Sequence, residues 1–213
     1  MSASPPPFYP LQSLQDERNE ISEVLPGKLF LTGWRGATQT DRLVELGISG
    51  VVKCEVQFDS DDDEALAAVD SPFLYLRVAV TDDEDQAGAM GEHLDQACRF
   101  MKEQKGAVLV HCAAGISRST TVVLAYLISS AGPEGGMRLL DAFSLVRRAR
   151  PCVWPNTGFM AMLCAKEASL ISKRGGSAGS AGSSTISIKD YQAWSEWDED
   201  AYDAAKVVDR PTV

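Results

Sequence analysis

The sequence predicts an α/β fold, a central twisted and mostly parallel sheet flanked by helices, and three observations predict it. Between Ile21 and about Leu170, short aliphatic runs alternate with stretches of helical period, the pattern of a layered sheet-and-helix domain. Gly, Pro, Asp or Asn bounds each run, as expected of short elements joined by tight connections. One apolar run, Val108–Val110, leads through a loop of small residues directly into a helical stretch.

The elements follow in chain order. Residues 1–19 begin with Ser4-Pro5-Pro6-Pro7 and continue polar through Gln12 to Asn19, a composition that buries little surface and reads as a flexible arm. Its one Pro-x-x-Pro spacing, Pro7 to Pro10, is not repeated, so the arm is not read as a ligand for a recognition domain. Strands are expected at Leu29–Leu31, Val51–Cys54, Leu74–Val80 and Val108–Val110. Helical stripes run through Leu94, Ala97, Cys98 and Met101, through Leu139, Leu140, Phe143 and Val146, and through Met160, Leu163 and Leu170. A domain over 20–171 therefore ends at a Gly/Ser linker over 172–184. Residues 185–213 carry seven acidic side chains (Asp190, Glu196, Asp198, Glu199, Asp200, Asp203, Asp209) against three basic ones (Lys189, Lys206, Arg210). Tyr191, Trp194, Trp197 and Tyr202 are interleaved among them. Two readings stand: a solubilising tail, or a docking segment whose aromatics anchor on a partner protein or on its own domain.

Composition narrows the function. The chain has 213 residues, 45% hydrophobic and 23% charged, enough for one domain with a real core. No run of apolar residues is long enough to span a membrane and no secretory leader is visible, so the expected location is the cytoplasm, the nucleus or both. Five cysteines without paired spacing favour reduced thiols over a disulfide framework. With no Cys-x-x-Cys pair and only two histidines, no metal and no cofactor are expected. A net charge of −10 argues against nucleic acid and anionic membranes as partners.

The chemistry lies in Val108-Leu109-Val110-His111-Cys112-Ala113-Ala114-Gly115-Ile116-Ser117-Arg118-Ser119-Thr120, followed by the helical 121–127. A strand, a tight loop and a helix make a cradle for phosphate: backbone N–H groups converge, and the helix start near Ser117 adds its positive end. Cys112 falls at the carboxyl end of its strand, where ligands of open α/β sheets sit. Beside Arg118 and a helix N-terminus the thiolate form is favoured, and a thiolate can attack phosphorus. Arg118, six residues on, presents a planar fork that grips two phosphate oxygens, which a lysine cannot do. Gly115 permits a turn that a β-carbon would obstruct, and Ser119 can donate a hydrogen bond to the sulfur, making it a better leaving group.

This string resembles the His-Cys-x5-Arg-Ser/Thr signature of the protein tyrosine phosphatase superfamily, and Ala-Ala-Gly-Ile-Ser is similar to the filling of its small, atypical dual-specificity branch. Ile21–Gly27 with Leu29–Leu31, Leu46–Ile48, Tyr75–Val78 followed by Asp82, and Pro155–Phe159 match that family in order. The resemblance implies a phosphorylated protein as substrate, a phosphocysteine intermediate, and substrate binding by Ala113, Ala114, Gly115, Ile116, Ser117 and Arg118. It also implies a general acid on the loop after the strand ending near Val80. Asp82 matches by position from Tyr75; Asp83 and Asp85 are rivals, and a merely solvated acidic loop is the plain alternative. Trp-Pro-Asp, the acid-loop motif of the tyrosine-specific branch, is absent, which implies a shallow pocket open to phosphoserine and phosphothreonine. Phosphoinositide or RNA 5′-phosphate substrates are the second reading, disfavoured by the uncharged residues 113–117. An inactive phosphate-binding adaptor is the third, and such relatives typically lose the nucleophile.

Other residues have plainer readings. His111 is expected to be a hydrogen-bonded residue that orients the loop, in preference to a catalytic base. Arg147, Arg148 and Arg150 read as an exposed cationic helix end, with Arg150 able to attract a second phosphate or acidic substrate residues if, as the resemblance implies, the Pro155-Asn156 loop lies beside the site. Cys54 reads as a small core hydrophobe, although similar positions in some superfamily members form a reversible disulfide with the nucleophile.

Overall fold

The computed structural model describes residues 20–56, 71–130, 136–174 and 186–194. The arm over 1–19, the Gly/Ser run from 175 and the acidic stretch after 194, with Trp197 and Tyr202, lie outside the described residues. Five strands form one sheet: β1 Ser22–Leu25, β2 Leu29–Gly33, β3 Ile48–Lys53, β4 Leu74–Arg77 and β5 Ala107–Cys112, in the order β1-β2-β5-β3-β4. The β1–β2 pair is antiparallel, joined by a turn in which Gly27 takes a positive φ of 62°. The other three pairings are parallel, in agreement with the predicted fold class.

The helices are α1 Trp34–Ala37, α2 Thr40–Glu45, α3 Ala87–Glu103, α4 Arg118–Ser130, α5 Leu139–Ala149 and α6 Thr157–Lys173, with a 3₁₀ turn at Glu84–Gln86. No helix among the described residues is long and apolar enough to cross a membrane. Strand β5 is buried along its whole length, and its period of two divides the core. Val108 and Val110 face the large cluster built with α3 to α6, while Ala107 and Leu109 join Phe30, Val51 and Phe73 in a smaller cluster that includes Ala37 and Leu43. In α3 the buried Met90, Leu94, Ala97, Cys98 and Met101 trace one helical stripe.

Three expectations need correction. The run Leu74–Val80 pairs only as far as Arg77. Val78 and Val80 are buried; the Val78 N–H still donates to Lys53 O of β3 at 2.8 Å, but the Val80 N–H turns back onto the Val78 carbonyl, so the run leaves the sheet after Val78. Residues 172–173, assigned to the linker, are the last turn of α6. Arg147 and Arg150 are buried, and of the three arginines only Arg148 is exposed.

The C-terminal segment returns to the domain. Residues 188–194 are helical, and Ile186, Tyr191 and Trp194 are buried in the large cluster. For these residues the structure has the aromatics anchored on their own domain.

Candidate active site

Parallel pairing with β2 and β3 carries Cys112 to the carboxyl end of the central strand, opposite Gly33. The loop 113–117 then bends back into the N-terminus of α4, with Gly115 at a φ of +68°. A β-carbon there would lie 2.6 Å from the Thr32 carbonyl and 2.8 Å from Arg150 Nη2, so conformation and space both require glycine.

Five consecutive loop carbonyls are held from outside. The Trp34 N–H donates to Ala113 O at 3.1 Å, Arg150 Nη2 to Ala114 O at 3.1 Å and Arg150 Nε to Gly115 O at 2.8 Å. The Trp154 N–H donates to Ile116 O at 2.9 Å, and the Thr121 N–H and hydroxyl both reach Ser117 O at 2.9 Å. In a planar trans peptide C=O and N–H point in opposite directions, so carbonyls tied outward turn the following N–H groups toward the loop's centre. The Gly115 N–H accordingly donates to Cys112 Sγ at 3.2 Å, and Ser119 Oγ donates to the same sulfur at 3.1 Å. The result is a backbone nest around a buried thiol at a helix N-terminus.

Arg118 starts α4 and reaches the loop after β4, where Nη1 donates to Val80 O at 3.5 Å. Its Nε lies 3.8 Å from Asp82 Oδ2 and, although buried, has no hydrogen-bond partner among the described residues. A buried donor in that condition suits an anion seated in the nest. Asp82 Oδ1 accepts from Ser117 Oγ at 2.5 Å and from Asn156 Nδ2 at 3.0 Å, while the Asn156 N–H donates to Ser117 Oγ at 3.1 Å. The Asp82 side chain remains 37% exposed at the mouth of the loop. Asp83 and Asp85 are exposed, and Asp85 accepts from Gln86. Of the three aspartates, Asp82 is the one these bonds tie to the loop.

His111 departs from expectation. Its carbonyl accepts from the Cys54 N–H at 2.8 Å, but neither ring nitrogen has a hydrogen-bond partner among the described residues. Burial, then the charge of Lys53, pull its pKa down to about 4 against a small opposing contribution from the Cys112 backbone, so the ring is neutral at pH 7. Arg150 departs further. Besides its two loop carbonyls it donates to Glu20 O at 3.1 Å and Ser22 Oγ at 3.2 Å, so it braces the cradle from behind and cannot meet substrate. Asn156, which the sequence placed only within a matching motif, proves central; its Oδ1 also caps α6 by accepting from the Phe159 N–H, and an Asn at the start of a helical stretch was the available signal. Among the described residues no group of three or more His, Cys, Asp or Glu side chains is placed to hold a metal ion.

Fold and loop together are those of a cysteine-loop phosphatase domain. Residues 29–169 match the family model for the dual specificity phosphatase catalytic domain. The chain is 35% identical over 145 residues to a probable rhodanese domain-containing dual specificity protein phosphatase of Dictyostelium discoideum, covering 67% of this chain and 28% of that protein. It is 35% identical over 151 residues to the dual specificity protein phosphatase Mpk3 of Drosophila melanogaster, covering 70% and 34%. The crystal structure of human DUSP28 superposes with a TM-score of 0.60 at 30% identity, covering 80% of this chain and 99% of that one. The chain belongs to the dual specificity phosphatase family. It spans about a third or less of the length of the two curated relatives named, and nearly all of the DUSP28 chain.

Proposed function

We propose that this protein hydrolyses phosphotyrosine and phosphoserine or phosphothreonine in protein substrates through a phosphocysteine intermediate. The observation that carries the reading is the buried Cys112 Sγ at the start of α4, which accepts from the Gly115 N–H and Ser119 Oγ, with Arg118 beside Asp82 at the same loop. The Cys112 thiolate attacks phosphorus, and the Ser, Thr or Tyr oxygen departs with the proton of Asp82. Loop N–H groups and the Arg118 fork hold the equatorial oxygens as charge develops. Asp82, now a carboxylate, takes a proton from the water that attacks the phosphocysteine, and Cys112 leaves as thiolate with Ser119 donating to the sulfur. Free cysteines throughout fit a reducing compartment, the cytoplasm or the nucleus, and removal of phosphate from proteins is the chemistry of a signalling role.

Acid quenching during turnover of a ³²P-labelled phosphopeptide tests the reading. Labelled parent protein is expected, while Cys112→Ser should lose turnover and label yet still bind inorganic phosphate. Retention of more than about a tenth of the parent rate by Cys112→Ser would refute covalent catalysis at this residue. Asp82→Asn should slow phosphocysteine formation by roughly 10²–10⁴-fold with a phosphoserine peptide and far less with an activated aryl phosphate, whose phenolate leaves almost unaided. Leaving-group dependence at Asp83→Asn or Asp85→Asn instead would reassign the acid. A substrate panel that includes phosphoinositides and 5′-phosphorylated RNA separates the protein phosphatase from the alternative substrate classes.

A further inference from the structure

The segment Trp154-Pro155-Asn156 lies between two partners. On one side it meets the cradle: the Trp154 N–H bonds Ile116 O, the Asn156 N–H bonds Ser117 Oγ, and the Asn156 amide bonds Asp82. On the other it meets the C-terminal segment. The Tyr191 hydroxyl donates to Pro155 O at 2.6 Å, and its ring stacks on Trp154 with centroids 4.8 Å apart and planes 12° from parallel. Phe143 and Trp194 each stand edge-on to Tyr191, at 5.9 Å and 6.4 Å between centroids, while the Arg147 guanidinium lies 4.8 Å from the Trp154 centroid. Cys164 Sγ reaches Ile186 O at 3.5 Å, fixing the start of the returning segment. Pro155 has no N–H, so its carbonyl is its only backbone group able to form a hydrogen bond, and Tyr191 takes it.

We propose that Tyr191 is a positioning residue for proton transfer by Asp82: it holds Trp154 and Pro155 from behind, and through them keeps the next residue, Asn156, on Asp82 and Ser117. This rests on the proposed reaction. Residues 186–194, separated from the catalytic domain by a Gly/Ser linker, thereby belong to the active-site architecture. The hydroxyl supplies one directional bond to the segment and the ring supplies its packing, so the two contributions separate by substitution.

The test uses the full chain with Tyr191→Phe and Tyr191→Ala, a phosphoserine peptide, an activated aryl phosphate, and hydrogen exchange at residues 154–159. Tyr191→Phe should lower kcat for the peptide about 3- to 10-fold, the worth of one buried hydrogen bond, with less than about a twofold change for the aryl ester. Tyr191→Ala should lower it further, and in both variants exchange at 154–159 should quicken. In an Asp82→Asn background Tyr191→Phe should have no further effect on the peptide rate, which a merely destabilised fold would not reproduce. Equal losses on both substrates, or unchanged rates and exchange in Tyr191→Phe, overturn the proposal. If the parent turns over neither substrate the catalytic reading fails instead, and exchange at 154–159 then decides whether Tyr191 holds the segment.

Discussion

Gly158 offers the sharpest test of how the acid loop is held. It sits in the first turn of α6, packed against the 3₁₀ turn two residues beyond Asp82. An alanine methyl at this position would lie 2.0 Å from Glu84 O, 2.7 Å from its carbonyl carbon and 2.8 Å from its Cα. Ordinary contact begins near 3.4 Å, so the Glu84 backbone must retreat by about 1.4 Å. The bonds from Ser117 and Asn156 to Asp82, 2.5 and 3.0 Å long, do not survive if Asp82 follows that retreat. Misplacement of a reacting group by about 1 Å can cost on the order of 10²-fold in rate. Gly158→Ala should therefore slow a phosphoserine peptide by about 10²-fold while sparing an activated aryl phosphate, because only the poor leaving group needs the proton. Helix propensity favours alanine over glycine by up to about 1 kcal/mol, which opposes any explanation by a weakened α6. Single-turnover kinetics on both substrates, repeated in an Asp82→Asn background, form the assay. Two changes acting through one proton are non-additive, so the double variant should match Asp82→Asn alone. A peptide rate within threefold of the parent, or the same loss from Gly158→Ala with and without Asp82, would refute the reasoning.

Three further outcomes follow from the site. Arg150→Lys keeps the charge but cannot span acceptors on Ala114, Gly115, Glu20 and Ser22, so it should lose on the order of 2–3 kcal/mol of stability and weaken inorganic phosphate binding; denaturant unfolding within about 0.5 kcal/mol of the parent would show that the brace is dispensable. His111 titrates near 4 when folded against an ordinary 6.5, so below pH 6.5 the unfolded chain binds the proton first. The stability this gives above pH 6.5 should fall away toward pH 4 by up to about 3 kcal/mol, a slope that His111→Gln should flatten in urea titrations and that equal slopes would contradict. Mild peroxide should convert the Cys112 thiolate to a sulfenic acid, and attack by the Cys54 thiolate on that sulfur, with loss of hydroxide, should give a Cys54–Cys112 disulfide. Burial and the adjacent Cys112 hold the Cys54 thiol well above its ordinary value against the pull of Arg118, so capture should speed up with pH; equal recovery by thiol in the parent and Cys54→Ala would exclude the disulfide.

The sheet was legible where burial and pairing coincide. β5 is buried along its whole length and its apolar run Ala107–Val110 reads as a strand, whereas in β3 only Val51 and Val52 carry that signal: the strand begins at Ile48, before the expected Val51, and ends at Lys53, not Cys54. β1 has four residues with an alternating burial pattern at the sheet's edge, too short for periodicity to distinguish from a loop. α1 and α2 escaped notice for the same reason, at four and six residues. Beyond Arg77 apolarity is a poor guide to pairing: Val78 keeps one backbone bond to Lys53 O of β3, whereas Val80 is apolar because it is packed, and its carbonyl accepts from Arg118.

The loop around Cys112 was legible because seven consecutive residues, 112–118, contain the thiol, the glycine and the guanidinium, so local sequence alone brings them together. The supporting residues are different in kind. Arg150 acts 35 residues from Gly115 on carbonyls, and every residue has a carbonyl, so no side-chain pattern marks its target. Its own type and place, the end of an amphipathic helix, argue for solvent exposure, and only the tertiary fold reverses that. Gly158 is read from sequence as helix-disfavouring until Glu84 is seen against it. Tyr191 lies in an acidic stretch whose composition favours solvation, yet its ring finds Trp154 and its hydroxyl finds Pro155, 36 residues away. Apart from Asp82, which the loop after β4 brings to the cradle, the chemistry-bearing groups thus follow one another in sequence, whereas the groups that hold them come from β1, the end of α5, α6 and the C-terminal segment. A substitution at Arg150, Gly158 or Tyr191 should accordingly alter the reaction without touching any residue of the signature. Leaving-group dependence, which separates proton delivery from attack by sulfur, is the measurement that assigns each such effect to the acid loop or to the cradle.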